Sequence, residues 1–255
     1  MKTLYQEMKT FNDPRWEDLI KSFRKRIQKD RKYFKCWSTY VKLPEICPKP
    51  EFCLISMEPG PGKDSNEPEY RNFIANKRDF ILNYCAYNYL GTKGFNYQIT
   101  DMAKGGILIK DAKKTQSERY RIWLPLLRNE LELLGNPKII FIGKGLYEQN
   151  IKEKYFPVSE VKYILHHSGA NNKHVNNYYE SIPNYNKREH SKNIKEEVKK
   201  IAIKLMEMNN YSNKLKDEII YKEFRKEFTE QDKRLLIVYR FYFEGFTNIK
   251  KEGKK

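Results

Sequence analysis

The sequence predicts an α/β fold in three layers, α/β/α, with a central, mainly parallel four-stranded sheet and a helical C-terminal extension. Short apolar runs alternate along the chain with segments of helical periodicity, which favours a parallel sheet covered by helices on both faces. The run Lys138-Ile-Ile-Phe-Ile-Gly143 is apolar almost throughout, as is typical of a strand buried on both faces. We therefore expect an α/β domain over residues 1–190, including an N-terminal helix, and a basic helical extension over 191–255.

Helical periodicity is clear in two segments. Apolar residues recur at helical spacing behind Pro14, which suits a first turn, and predict a helix over 14–36. The polar face of this helix is very basic, which suits contact with phosphates but equally an ordinary solvated surface. Periodic leucines predict a second helix over 115–135, with Gly135 as its stop. Further helices are expected over 73–89, from 144 and from 189 onward.

Polar residues follow the ends of three predicted strands. Glu58 precedes a Pro-Gly-Pro-Gly turn that neither a strand nor a helix can continue. Asp101 and Lys104 end the next strand, and His166 follows the last one. Because ligands bind outside the carboxyl ends of parallel strands, these side chains predict a site at one edge of the sheet. The strands are predicted at 52–57, 97–102, 138–143 and 161–165.

The charge balance favours a polyanionic partner. Lys and Arg number 50 against 33 Asp and Glu, which gives a formal net charge of +17. Such a field attracts nucleic acid, although a coding bias toward Lys raises the charge without any binding role. No apolar run is long enough for a membrane helix and the N-terminus lacks the apolar core of a signal peptide, so a cytoplasmic location is expected. We also predict a monomer.

The four cysteines are not spaced as metal ligands. No two of them form a Cys-x-x-Cys pair, and two lie in apolar runs, so mostly buried thiols are expected. We predict no metal site and no cofactor. The cysteines are Cys36, Cys47, Cys53 and Cys85.

Four short motifs, in order between Phe52 and Asn172, resemble those of the uracil-DNA glycosylase superfamily, and most closely its mismatch-specific thymine- and uracil-DNA glycosylase branch. Ser56-Met-Glu-Pro-Gly60 is similar to the family's Gly-Ile-Asn-Pro-Gly motif, and Thr100-Asp-Met-Ala-Lys104 to its Thr-Asn-Met-Val-Glu strand end. Pro137–Tyr147 resembles the family's buried strand and Gly-Lys-x-x-Tyr turn. His166-His-Ser-Gly-Ala170 resembles its Asn-Pro-Ser-Gly insertion loop.

The resemblance implies a DNA glycosylase that hydrolyses the N-glycosidic bond of a base flipped out of double-stranded DNA. Glu58 replaces the family's water-holding Asn, and its carboxylate suits the deprotonation of water and the stabilisation of an oxocarbenium-like sugar. His166 is the second candidate catalytic residue, placed to contact a phosphate or to stabilise the departing base. Met57, Tyr70 and Phe73 are candidates to bound or stack on the flipped base.

Asp101 replaces the family's base-recognising Asn. A carboxylate accepts hydrogen bonds only, so it suits the N4 amine of cytosine better than O4 of uracil. We therefore hypothesise a preference for a modified cytosine, with the small Ala103, Gly105 and Gly106 leaving room for a C5 substituent, and a role in defence against phage DNA. The alternative is that Asp101 caps a helix or forms a salt bridge with Lys104.

The insertion loop and Lys104 are the candidate DNA contacts. Gly169, Ala170 and Asn171 are candidates to wedge the base out of the stack. Asn172 and Lys173 are candidates to bind phosphate, and Ser168 suits either a phosphate contact or a turn cap. These loop residues are Ser168, Gly169, Ala170, Asn171, Asn172 and Lys173.

Three alternatives stay open on the sequence. The first is a uracil or thymine mismatch repair glycosylase, and the second is a DNA- or RNA-binding protein that has lost catalysis. The third is a nucleotide enzyme with Pro59–Gly62 as its phosphate loop. The last lacks the Gly-Lys-Ser/Thr ending of a P-loop.

Overall fold

The structure, a computed structural model, describes residues 13–34, 43–59, 71–107, 109–165, 187–225 and 242–249. The strands are β1 (Phe52–Ser56), β2 (Tyr97–Asp101), β3 (Lys138–Ile142) and β4 (Val161–Ile164). The helices are α1 (Pro14–Phe34), α2 (Lys77–Tyr89), α3 (Ile109–Leu133), α4 (Lys144–Glu153), α5 (Lys187–Met208), α6 (Asn213–Phe224) and α7 (242–249), with a short 3-10 turn at Val158–Glu160.

The sheet confirms the predicted fold class. Its strand order is β2-β1-β3-β4, and β1 pairs in parallel with both β2 and β3. All five residues of β1 and all five of β2 are buried, so both faces of these strands are covered, as an α/β/α arrangement requires. The register places Ser56, the last residue of β1, opposite Asp101, the last residue of β2.

One hydrophobic cluster joins one face of the sheet to α1 and α3. Cys53 and Ile55 contribute to it from β1, which is the alternation that a strand imposes. Phe23 of α1 meets Trp123 of α3 with ring centroids 5.8 Å apart. The buried indole nitrogen of Trp123 donates to Asp30 at 2.6 Å, which satisfies a polar group inside the core.

Two helices begin at other residues than predicted. The helix predicted from 73 begins at Lys77, because the Asn76 side chain caps it by accepting hydrogen bonds from the backbone of Arg78 and Asp79. The helix predicted from 115 begins at Ile109. Its first six residues lack the periodic leucines on which the prediction depended. The other strand and helix bounds agree with the predictions to within about two residues.

The chain divides into two compact units. The first comprises Met1–Asn72 with Phe95–Lys162, and the second comprises Phe73–Gly94 with Tyr163–Lys255. Within the second unit, Tyr211 donates to the carbonyl of Ile74 at 3.3 Å and Phe80 packs against Phe224. The division predicted at residue 190 stays a prediction. In the described parts of the chain, none of the helices combines the length and apolarity needed to cross a bilayer.

Candidate active site

The first two motifs lie side by side at the carboxyl edge of the sheet. Beyond the paired strands, the amide of Met102 donates to the carbonyl of Ser56 at 2.8 Å, and the amide of Ala103 donates to the carbonyl of Met57 at 3.1 Å. These two bonds hold the residues after β1 against the residues after β2. Glu58 and Asp101 therefore leave neighbouring strands at the same edge, as the sequence predicted.

The Glu58 carboxylate is held through one of its oxygens. The Tyr120 hydroxyl donates to Oε2 at 2.5 Å, and Nη1 of Arg119 lies 3.8 Å from the same atom. In the described part of the chain, no donor to Oε1 is found, and 11% of the Glu58 side chain is exposed. Glu58 therefore has a fixed orientation and one carboxylate oxygen available to a water molecule.

Tyr120 is suited to remain a hydrogen-bond donor. Burial, and then the neighbouring charge of Glu58, raise the pKa of its phenol well above the usual value. Gln116 donates to the same hydroxyl oxygen at 3.1 Å, which leaves the Tyr120 proton for Glu58. The phenol therefore stays protonated near neutral pH and keeps its hydrogen bond to Glu58.

Arg119 is a fully buried cation beside this carboxylate. Its Nη2 donates to the carbonyl of Gly105 at 3.3 Å. Among the described residues, no acceptor reaches its Nε or Nη1 within hydrogen-bond geometry. A buried donor without a partner costs on the order of 1–3 kcal/mol, so such groups mark a place where a ligand or solvent completes the structure.

Asp101 is almost completely buried, and half of its carboxyl group is satisfied. Its Oδ2 accepts from the Asn72 amide nitrogen at 2.9 Å, whereas no described residue donates to Oδ1. Burial raises the pKa of Asp101 to about 7, against the lowering effects of Lys104 and Asn72, while Glu58 and Glu130 raise it further. Near neutral pH the side chain is therefore present in both protonation states.

This pKa corrects one premise of the sequence-based hypothesis, in which Asp101 could only accept hydrogen bonds. The neutral acid also carries a proton and donates one hydrogen bond. Neither alternative role for Asp101 is found. Asp101 precedes no helix directly, since α3 begins at Ile109, and the described ion pair of Lys104 is with Glu130.

Lys104 does not lie where a DNA contact requires it. Its side chain is fully buried, and Nζ donates to Thr100 Oγ1 at 2.7 Å and to the carbonyl of Asp101 at 2.5 Å. Nζ also lies 2.7 Å from Oε2 of Glu130 and over the Phe23 ring. The prediction that Lys104 contacts DNA was therefore wrong, because its ammonium group is enclosed by partners inside the protein.

The other predicted site residues fall into three groups. Met57 lies next to Glu58 and is partly buried against the core cluster. Phe73 begins the second unit with φ of 63°, a left-handed conformation that is uncommon for a bulky residue. The remaining predictions lie outside the described residues, namely Tyr70, His166, Ser168, Gly169, Ala170, Asn171, Asn172 and Lys173.

Sequence reasoning missed Arg119 and Tyr120. Arg119 shares the buried stripe of α3 with Trp123 and Leu127 at a spacing of four residues, and Glu130 follows on the same stripe. A charged residue on an otherwise apolar stripe was the available signal. It shows that a charge is buried, but not which residue it contacts.

Within the described ranges, no group of three or more His, Cys, Asp or Glu residues is arranged to hold a metal ion. Cys53 is buried, and burial raises the pKa of its thiol above the usual value. Cys36 lies outside the described residues.

Comparison with known proteins does not assign the chain. No protein-family model matches the sequence, and no curated protein matches it. The functional conclusion therefore depends on the geometry at the carboxyl edge of the sheet.

Proposed function

We propose that the protein is a DNA glycosylase, similar to the uracil-DNA glycosylase superfamily, that releases a flipped base from double-stranded DNA. It acts as a monomer in the cytoplasm, and its preferred base is a modified cytosine. One observation carries the proposal: Glu58 and Asp101 leave adjacent parallel strands at one edge, and each has an oxygen with no protein donor among the described residues.

Glu58 is proposed to act on the hydrolytic water. Tyr120 and Arg119 hold Oε2, so Oε1 is available to accept a proton from water. The bond from C1′ of the deoxyribose to the base nitrogen breaks first, and the base leaves with that electron pair. The carboxylate charge stabilises the resulting oxocarbenium-like sugar until the water oxygen bonds to C1′ and its proton passes to Oε1.

Asp101 is proposed to recognise the base. The free Oδ1 is a buried acceptor when the side chain is ionised, and it suits the N4 amine of cytosine. The Asn72 amide fixes the other oxygen and so sets the plane of the carboxyl group. Unmodified cytosine is a normal base, so a useful enzyme requires a C5 substituent, and defence against hypermodified phage DNA is the setting that fits.

The pKa of Asp101 favours uracil as a second candidate base. With a pKa of about 7, a substantial fraction of Asp101 is neutral near pH 7 and donates a hydrogen bond. A neutral carboxyl group suits O4 of uracil, as the Asn of the resembled family does. The protonation state of one side chain then decides between the two bases.

The test is a base-release assay on duplexes that carry uracil, cytosine, 5-hydroxymethylcytosine or its glucosylated form. Glu58→Gln keeps the size of the side chain but removes the carboxylate that accepts the proton of water. We expect the rate of nucleobase release to fall by about 10²–10⁴-fold. Glu118→Gln is the matched control, because Glu118 lies exposed on α3 beside Arg119. It removes the same charge outside the site, and we expect activity close to that of the wild type.

The outcomes separate the candidate functions. Release of a modified cytosine supports the proposal, and release of uracil alone supports the repair glycosylase. If the wild-type protein binds duplex DNA but releases no base, the protein is a DNA-binding protein without catalysis. Equal activity of Glu58→Gln and Glu118→Gln contradicts the role of Glu58.

A further inference from the structure

Helix α1 has two opposite faces of very different character. Leu19, Phe23, Ile27 and Phe34 are buried on one side. Three exposed lysines in the second half of the helix lie on the other side, namely Lys25, Lys29 and Lys32, which we call the α1 basic face. At 100° per residue these three positions lie within an arc of about 60° on the side opposite the buried stripe.

The charge along α1 is uneven. Near its start, the basic residues face acidic partners: Arg15 pairs with Asp13 at 2.6 Å and Lys21 with Asp18 at 3.0 Å. Beyond residue 21, the one acidic residue of the helix is Asp30, which is buried and held by Arg26 and Trp123. The exposed surface of the second half of α1 therefore carries positive charge alone.

Within the described residues, none of the three lysines of the α1 basic face forms an ion pair. Lys25 and Lys29 are four residues apart on the helix, where like charges repel each other. Two further pairs, Lys25 with Lys32 and Lys29 with Lys32, are seven and three residues apart on the same face. A bound polyanion relieves this repulsion, whereas a neutral or cationic partner does not.

The basic end of α1 is the end nearest to the candidate active site. Phe34, its last residue, packs with Ile107 and Ala112, which follow Asp101 along the chain. At the other end, the pKa of Arg15 is raised chiefly by Asp13 and also by Glu132, which lies near the end of α3. Helix α1 therefore runs toward the carboxyl edge of the sheet, and its positive charge increases in that direction.

We propose that the α1 basic face binds the phosphate backbone of duplex DNA beside the flipped base. The inference rests on the proposed function for its choice of duplex DNA over other polyanions. Residues 25–32 span roughly 10 Å of helix axis. That length matches about three phosphates of one strand, at ~3.4 Å of duplex axis for each phosphate.

The experiment compares two double variants of the same helix. Lys29→Gln with Lys32→Gln removes two charges from the α1 basic face, and Arg15→Gln with Lys21→Gln removes two exposed but ion-paired charges from its other end. Both variants have the same net charge, so a difference between them reports position. Affinity for a duplex without a substrate base is measured by fluorescence anisotropy between roughly 50 and 200 mM salt.

We expect the slope of log affinity against log salt to decrease in the first variant by about 0.9 for each phosphate that the variant no longer neutralises, hence by about two. The slope of the second variant stays that of the wild type. Thermal melting followed by circular dichroism checks that both fold. Lys29→Arg with Lys32→Arg keeps the charge and is expected to retain the wild-type slope.

Equal slopes for the two glutamine variants overturn the inference. It is overturned by that result even if the same residues prove to bind RNA or anionic vesicles. If the wild-type protein then still releases a base, the proposed function stands and the inference alone fails. If the wild-type protein binds no duplex DNA at all, both fail.

Discussion

Two buried polar clusters lie next to each other at the end of β2, and they differ in how completely they are satisfied. The closed cluster consists of Thr100, Lys104 and Glu130. The Lys104 ammonium group has two hydrogen-bond acceptors and an ion-pair partner, and the Thr100 hydroxyl donates to Glu130 Oε1 at 2.8 Å. The 2.7 Å contact between Lys104 and Glu130 is close but lacks hydrogen-bond geometry, so it acts as an ion pair.

The open cluster consists of Glu58, Asp101, Arg119 and Tyr120. Among the described residues, Asp101 Oδ1 and two nitrogen atoms of Arg119 have no hydrogen-bond partner. Both clusters bury charge, but the charged groups of the closed cluster meet one another, whereas those of the open cluster leave places for a ligand. By hydrogen bonds alone within the described part of the chain, the open cluster leaves three buried atoms unpaired and the closed cluster leaves one, Glu130 Oε2, which the Lys104 ammonium group neutralises at 2.7 Å. Unsatisfied buried groups without an opposite charge in contact therefore distinguish a candidate site from a structural ion pair better than burial does.

The largest expected effects come from a Glu-to-Gln exchange in each cluster. Glu130→Gln leaves the Lys104 ammonium group buried without a counter-charge, and breaking such a pair costs about 3–5 kcal/mol of unfolding free energy. Glu58→Gln keeps an acceptor for Tyr120 and gives up a longer contact with buried Arg119, 3.8 Å without a hydrogen bond, so we expect a smaller cost in stability, about 1–3 kcal/mol. Urea unfolding of the two variants, followed by circular dichroism, measures both.

Equal losses of unfolding free energy in Glu130→Gln and Glu58→Gln would contradict the distinction between the closed and the open cluster. A Glu130→Gln protein as stable as the wild type would also contradict this distinction, because the closed cluster would then contribute nothing to folding. Glu118→Gln again provides the control for removal of one negative charge from the surface of α3.

Asp101→Asn tests the cost of the unsatisfied carboxyl group. The folded protein holds the Asp101 proton up to a pH of about 7, while an unfolded chain releases it near the usual pKa of 3.8. Above that lower value, stability therefore falls as the pH rises, until the carboxyl group is ionised in both states. We expect Asp101→Asn to gain roughly 1–3 kcal/mol over the wild type at pH 8, and little at pH 4.

A partly buried carboxyl group in the second unit provides a check on this result. Burial raises the pKa of Asp79 to about 6, so Asp79 adds a pH dependence of the same sign over a narrower range. That contribution remains in Asp101→Asn. A wild type and variant that respond identically to pH between 4 and 8 contradict the assignment to Asp101.

The same titration predicts a change of base preference with pH. Ionised Asp101 favours the N4 amine of a cytosine, and neutral Asp101 favours O4 of uracil. The rate of cytosine release divided by the rate of uracil release therefore rises as the pH passes about 7. The ratio changes at most about tenfold for each pH unit, and it is independent of pH in Asp101→Asn. Release rates for both bases, measured on the same duplex sequence from pH 6 to pH 8, give the ratio.

Tyr120→Phe is expected to have the smallest effect. It removes the hydrogen bond that fixes Oε2 of Glu58 and leaves the ring in the core. We expect kcat for base release to fall by about tenfold, roughly 1.4 kcal/mol, with KM almost unchanged, because the carboxylate is less well oriented for the reaction than for binding. Tyr155→Phe is the matched control, since this buried tyrosine contacts Tyr120 but donates no hydrogen bond to Glu58.

The strands and the site edge could be predicted because their signals are local. A four-residue apolar run, Phe52–Ile55, with a Pro-Gly turn shortly after it specifies both β1 and the exit of Glu58, and the same logic places Asp101 at the end of β2. The start of α2 was wrong because the Asn76 cap outweighs the apolar periodicity that begins at Phe73. The cap depends on a single side chain, Asn76, which accepts hydrogen bonds from two backbone amides, and apolar periodicity carries no information about it.

Residue Lys104 shows where local signals end. Its position three residues after Asp101 is compatible with solvent or with the interior, and its buried partner Glu130 lies 26 residues further along the chain in α3. Arg119 and Tyr120 were missed for the same reason, since their contact with Glu58 spans about 60 residues of sequence. Contacts of this kind exist only after α3 packs against the sheet.

The sequence by itself determined the α/β class, the parallel strands and the exit of Glu58 and Asp101 at one edge, because periodicity and turn residues act over a few neighbours. The tertiary structure alone decided which buried charges are satisfied: Lys104 by Glu130, and Asp101 only in part by Asn72. It also decided the raised pKa of Asp101, because desolvation depends on everything that packs around a group and not on the residues beside it in the chain.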